Sequence, residues 1–512
     1  MVSCILAVAL CCRFQRAESL LPLASSLSPP RFALRLTLQG GGSGSAAHWD
    51  AEGLSLLKQG RLSEAEASFR KALDADPTDA EALNDLGVIL RRRGEPEKAV
   101  ELLRRAANQH PDDALILSNL ALALRAAGRA NEALAELRTA SSLQPSNAAI
   151  HLNIGILLSQ AGADDEAEKE LHKALDLDPQ NPAAHQELAR LFAREGLTQK
   201  AEEEYLAAIG LAPLPSGHYE LGELYSNNGL LDRAGAQFRA AIQLDPQNAS
   251  YREALGSTLL REDNLPAAEV ELRQAIQLDS QSGQAHRDLG AVFEREGKLQ
   301  DASAELRQAT ELLPEDSQSH YMLARVLKKL GKDSEAAAEM HLAGELAQRE
   351  KNAPLEKAYN NEGSKLLEDG KLNEAAEKFR QALQLDPRDT KAEYNLALSL
   401  FLQNHTDESI EEFHTLLRTT PDDPDALYYL GLALLAKGRL GDARTSLEKA
   451  VSLRPEDARA HNALGVTLAR LNDLSRAVTE LRTAQHLEPT NAIYGKNLAC
   501  IETNLRDCTP TL

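Results

Sequence analysis

The chain has 512 residues and a formal net charge of −21, with 4 % aromatic residues, one Trp and three Met. A body that acidic repels phosphate backbones, which excludes nucleic acid as an expected partner. The shortage of large side chains argues against several thick-cored domains, and 26 % charged residues set among alanine and leucine read as helix.

Residues 1–45 come first and are expected to be disordered or cleaved. Their four arginines (Arg13, Arg16, Arg31, Arg35) and single acid (Glu18) leave −24 on residues 46–512. The run CILAVALCC at 4–12 has the apolar core of a secretory signal, but no basic segment precedes it and no small-residue cleavage site follows. The Ser- and Arg-rich stretch to Leu38 reads equally as a transit peptide or as sequence upstream of the mature protein. An exported location, periplasmic or secreted, and a cytoplasmic one both stay open. QGGGSGS at 39–45 reads as a flexible linker. No apolar run approaches the roughly 20 residues of a membrane-spanning helix, so no membrane span is expected. Five cysteines are too few for a disulfide framework, and Cys500 and Cys508 read as a disulfide or as two thiols.

From residue 46 one phrase repeats. FRKALDADPTD at 69–79 returns as FRQALQLDPRD at 379–389, and its proline recurs mostly at 34-residue steps, from Pro77, Pro111 and Pro145 to Pro489. With that proline at position 32, thirteen units align. Position 8 is Gly nine times and Ala four times; position 20 is Ala except at Ser409, and position 27 is Ala except at Leu416. Position 24 is always Phe, Tyr, Leu or Met. Two apolar stripes at helical spacing flank a break near position 15, at Gly60, Gly94, Gly128 and their equivalents. Asp79, Asp113, Asn147, Asn181 and Asp389 stand where they can cap the following helix. One unit cannot bury both stripes alone, so neighbours must stack.

This pattern resembles the tetratricopeptide repeat family over residues 46–489. The resemblance implies an all-α fold: a right-handed α-solenoid (superhelix) of about thirteen helix-turn-helix repeats, closed by a C-terminal capping helix. The expected division is 46–350 for repeats 1–9, 351–489 for repeats 10–13, and 490–512 for the capping helix and tail. The insertion near 345–356 is expected to lengthen a helix or kink the stack, with Pro354 opening the next helix.

No phosphate loop, HExxH, GxSxG or CxxC motif is present, so no enzymatic activity, cofactor or metal is expected. Six of the thirteen histidines stand at position 4 (His151, His185, His218, His286, His320, His461), where packing against the second helix outweighs a metal ladder.

In this family one side of the first helices lines a concave groove for an extended peptide or a partner helix. On a helical wheel that side holds positions 2, 5, 9, 12 and 13. Repeats 2–9 place eleven basic residues there: Arg91, Arg92, Arg125, Arg190, Arg194, Arg261, then Arg287, Arg295, Arg325, Lys328 and Lys329. The acids there are Glu81, Glu223, Glu253 and Glu294. Either the C-terminal turns of these helices favour cations through the helix dipole, or the groove attracts acidic peptide segments. Repeats 11 and 12 instead place Tyr394, Leu398, Phe401, Leu402, Tyr428, Leu432 and Leu435 there, as a docking patch for apolar segments or as filling for repeat 11's divergent second helix. The asparagine that some relatives use at position 6 to hold peptide backbone occurs only at Asn119, Asn153, Asn361 and Asn395. No repeat has the Lys at 5 or the Asn at 9 of the chaperone-binding clamp. The expected function is a non-catalytic protein-interaction scaffold, with a non-catalytic subunit of an export, cell-envelope or glycosyl-transfer assembly as the alternative.

Overall fold

The computed structural model describes residues 45–502; the signal-like run, most of the linker, Cys508 and the rest of the tail lie outside the described residues. Among the described residues there are 26 helices and no strand. Twelve of the thirteen repeats open a helix at position 1, among them Ala46, Ala80, Ala114, Pro182, Thr390 and Ala458. A further helix, Ala492–Glu502, follows repeat 13 and buries Tyr494, Leu498 and Cys500.

The ends of these helices follow from single residues. Asp79 Oδ1 accepts from the backbone N–H groups of Glu81 and Ala82, and Asp113, Asn147, Asn181 and Asp389 cap their helices alike. At position 15 the backbone turns left-handed in every repeat. Ten of these residues are Gly with φ from 72° to 78°, and the others are Asp263, Asn404 and Asn472 at 62–65°. The next residue then donates back to position 11, as Arg61 N does to Leu56 O at 3.0 Å.

Within each hairpin the close approach lies where position 8 meets position 24. A Cβ on Gly87 would stand 2.6 Å from Leu103 Cγ, and one on Gly155 would stand 2.7 Å from Leu171 Cγ. The large side chains so covered are fully buried: Phe69, Leu103, Leu171, Phe238, Phe379 and Phe413. Each contributes about 1.5–3 kcal/mol of burial. Repeat 11 keeps the approach despite its divergence, because Ser409 Oγ donates to the Ala397 carbonyl at 2.9 Å.

The insertion lengthens a helix. Asp333–Glu368 is one helix of 36 residues that serves as the second helix of repeat 9 and the first of repeat 10. Pro354 lies inside it and does not open a helix, a correction to the sequence expectation. Asn352 Nδ2 donates to the Leu385 carbonyl, and Arg349 pairs with Glu315 and Asp386, so this stretch is held from both sides. Its burial pattern is shifted as well. Met340, at position 24, is 43 % exposed, while Leu346, at position 30, is buried; the position-30 leucines Leu143 and Leu177 are exposed. The division expected at 350/351 falls within this helix, and among the described residues compactness separates 45–244 from 245–502.

Candidate peptide-binding face

Neighbouring first helices are tied together by a recurring register. The residue at position 13 reaches back to position 12 of the repeat before it. Arg194 donates to Ser159 Oγ at 2.7 Å and pairs with Asp164 at 2.8 Å. Arg295 donates to the Leu260 carbonyl at 2.8 Å and pairs with Asp263, and Lys329 pairs with Glu294 at 2.8 Å. Position 5 meets position 6 of the next repeat: Asn119 Nδ2 donates to Asn84 Oδ1, Gln186 to Glu220, and Asn497 to Asn462. Position 5 therefore lies in the seam. Asn84, Gln186 and Asn462 are buried, and only 12 % of the Arg287 side chain is exposed.

The seam between repeats 1 and 2 breaks this donor–acceptor rule. Its position-5 and position-6 residues are Asp50 and Asp85, both acids. Asp50 is buried and its Oδ1 meets no donor. Burial, reinforced by Asp79, Asp85 and Glu81, pushes its carboxyl up to about 7. Burial likewise pushes Asp85 up to about 6, against a hydrogen bond from Asn84.

The positive excess counted from the sequence is largely compensated inside the chain. Arg190 is held between Glu187 and Glu220, and Arg287 pairs with Asp316 at 2.9 Å. Glu294 takes both Arg325 and Lys329; burial opposes its charge, but these two cations hold its carboxyl below the usual range. Lys328 pairs with Asp333. Most of these acids stand at position 6 or at helix N-termini, outside the five positions counted. Arg92, which is exposed, and Arg125, which is half-buried, enter no ion pair among the described residues. Arg91 is half-buried beside them.

In repeats 11 and 12 the apolar residues pack chiefly on one another. Tyr429, at position 6, is the centre: its ring lies 5.0 Å from Tyr428, 5.9 Å from Phe401, and 6.3 Å from both Tyr394 and Phe413. Leu432 and Leu435 are buried, which removes them from the expected patch. Tyr394, Leu398, Phe401 and Tyr428 are half-buried, and Leu402 is 46 % exposed. Phe413 and Leu416 of the divergent second helix share one buried core with Leu430, against which Tyr394, Phe401 and Tyr429 pack. Tyr429 was missed by counting only the groove positions; its signal was a third tyrosine beside Tyr428.

The position-4 histidines face their own hairpin. His151 Nδ1 lies 2.5 Å from Glu170 Oε2 and its Nε2 lies 2.9 Å from the Pro145 carbonyl. His185, His320 and His461 repeat the arrangement with Glu204, Glu339 and Glu480. Among the described residues no three His, Cys, Asp or Glu side chains are placed to hold a metal ion.

Three tetratricopeptide repeat models match the chain, over residues 51–114 and 430–492, 366–431, and 121–162. The model described as the cilia and flagella-associated protein 70 C-terminal domain matches residues 146–359. No curated protein matches the chain. Among solved structures, a tetratricopeptide repeat protein from Parabacteroides merdae is similar at 21 % identity, covering 48 % of this chain and 98 % of its own, with a TM-score of 0.40. PilF of Pseudomonas aeruginosa is similar at 26 % identity, covering 41 % and 95 %, with a TM-score of 0.36. The Cut9–Hcn1 hetero-tetramer of APC/C matches at 14 % identity, over 89 % and 96 %, with a TM-score of 0.34. The period, the small-residue approach at positions 8 and 24, the stacked hairpins and the three repeat models lead to one assignment: the chain belongs to the tetratricopeptide repeat family.

Proposed function

We propose that the chain is a non-catalytic scaffold that holds an acidic segment of a partner protein against the first-helix face of repeats 2 and 3. Repeats of this family bind other proteins, and His151, His185, His320 and His461 are engaged inside their own hairpins. The observation that carries the reading is the pair Arg92 and Arg125. They are cations at groove positions that enter no ion pair among the described residues, although Arg125 lies near enough to Glu187 to favour its charge, on a body of −24 that pairs most others. The other cations, Arg190, Arg194, Arg287, Arg325 and Lys328, then serve mainly to set the spacing of that face. In repeats 11 and 12 the edge formed by Leu398, Leu402 and Tyr428 is what an apolar partner side chain would meet.

Anisotropy of a labelled octaglutamate peptide tests this. Binding to the full chain is expected to weaken about tenfold between low and physiological-to-high salt. The Arg92→Gln/Arg125→Gln variant should lose most of the affinity. Equal binding of octalysine, or binding indifferent to both salt and the two substitutions, rejects the reading.

A further inference from the structure

Four first helices carry a histidine whose two ring nitrogens both face acceptors. In each, Nδ1 meets a second-helix carboxylate nineteen residues on, at 2.5 Å for His151 and His185 and at 2.6 Å for His320 and His461. In each, Nε2 meets the carbonyl of the proline six residues earlier, Pro145, Pro179, Pro314 or Pro455, at 2.9–3.2 Å. A neutral imidazole has one N–H, so it can satisfy only one of these acceptors; the imidazolium satisfies both. Repeat 7 supplies an internal control. Its position 4 is Arg252, a permanent cation, which donates to the Pro246 carbonyl at 3.2 Å and to Glu271 at 3.0 Å. A guanidinium thus makes the same two bonds where the histidine is missing. Position 4 of repeat 6 gives the opposite case. There the second-helix partner of His218 is Gln237, at 2.8 Å, so a neutral ring is enough.

We propose that His151, His185, His320 and His461 act as two-acceptor clasps in the imidazolium form, each joining an inter-repeat loop to both helices of its hairpin, so that loss of a ring proton leaves one acceptor of each clasp unmet. His151 faces Glu170, which Lys173 also touches at 3.5 Å, and His185 faces Glu204. His320 starts beside the capping Asp316, and His461 beside the capping Asp457. For His461 the hydrogen bond it donates to Glu480 outweighs burial and raises the ring above its ordinary value. The sign follows. A histidine whose folded pKa is raised contributes stability that is fully present below its unfolded value and is lost as pH rises through the folded one.

The test uses the full chain and a variant in which the four histidines follow repeat 7: His151→Arg, His185→Arg, His320→Arg and His461→Arg. The urea midpoint of the native chain, read by far-UV circular dichroism, should fall between pH 6.0 and pH 8.5. The arginine variant should keep less than half of that fall. Conversely Arg252→His, one substitution at the same position, should enlarge it. Nitrogen NMR of the histidine-labelled native chain should show both ring nitrogens protonated at pH 6.5 in four residues, which keeps the test open if the fourfold variant does not fold. An equal fall in the native and arginine chains overturns the proposal. So does a neutral tautomer at pH 6.5 in these four residues.

Discussion

At Asp50 a carboxyl is buried opposite Asp85, with Asp79 and Glu81 beside it, at the position that Asn84, Gln186 and Asn462 hold in their own seams. Its raised folded value means that the proton is kept to about pH 7, far above the unfolded carboxyl's. The unfolded carboxyl is already ionised above about pH 4, so stability falls from there until pH passes the folded value and charge appears in the seam. Asp50→Asn gives position 5 an amide that can donate across the seam to Asp85, as Gln186 donates to Glu220. It should stabilise the first hairpin by roughly 1–3 kcal/mol at pH 8 and by little at pH 5. The chain's one Trp, Trp49, adjoins Asp50 and carries Lys71 over its ring at 4.2 Å, so its emission during unfolding reads this seam directly. A variant whose Trp49 transition is no more stable at pH 8 would contradict the argument. At this scale the sequence was legible where a residue's role is local. The caps at Asp79 and Asn147 and the packing role of the position-4 histidines could be read from spacing alone. The compensation of Arg190 by Glu220, or of Arg325 by Glu294, joins residues about thirty apart on successive helices and needs the seam geometry to be seen.

Among the elements, the hairpin depends most narrowly on the meeting of positions 8 and 24. Gly155→Ala sets a methyl 2.7 Å from Leu171 Cγ and 3.4 Å from the Ala167 carbonyl, with backbone on one side that cannot give way. It should cost about 1–3 kcal/mol in a thermal or urea melt. Gly60→Ala, by contrast, meets no atom within 4 Å but requires φ of +74°, so its cost is backbone strain of about 1 kcal/mol. If the two variants melt alike, close packing is not what selects glycine at position 8. Helix boundaries were legible because Gly, Asp and Asn mark them chemically. Pro354 was misread for a physical reason. Proline suits a first turn, yet a helix tolerates it inside when its neighbours hold the rod, as Arg349 and Asn352 do here.

For the whole molecule, the repeat count was legible because period is a property of sequence. The boundary of compactness at 244/245 was not, since no composition shift marks it. A solenoid is stabilised by nearest neighbours, and long arrays of this kind lose all-or-none cooperativity. Urea unfolding of the full chain should therefore proceed in more than one transition. Trp49 emission, confined to repeat 1, should have a midpoint different from that of circular dichroism over all helices. Coincident curves would mean that thirteen repeats behave as one cooperative body.

The backward reach of position 13 has a consequence for biosynthesis. In Arg194–Ser159, Arg295–Leu260 and Lys329–Glu294 the long flexible arm belongs to the later repeat and its anchoring point to the earlier one. A ribosome delivers the amino end first, so each emerging hairpin meets an anchorage that has already been built. Growth then proceeds by apposition, each new hairpin covering the apolar stripe that the one before it left open.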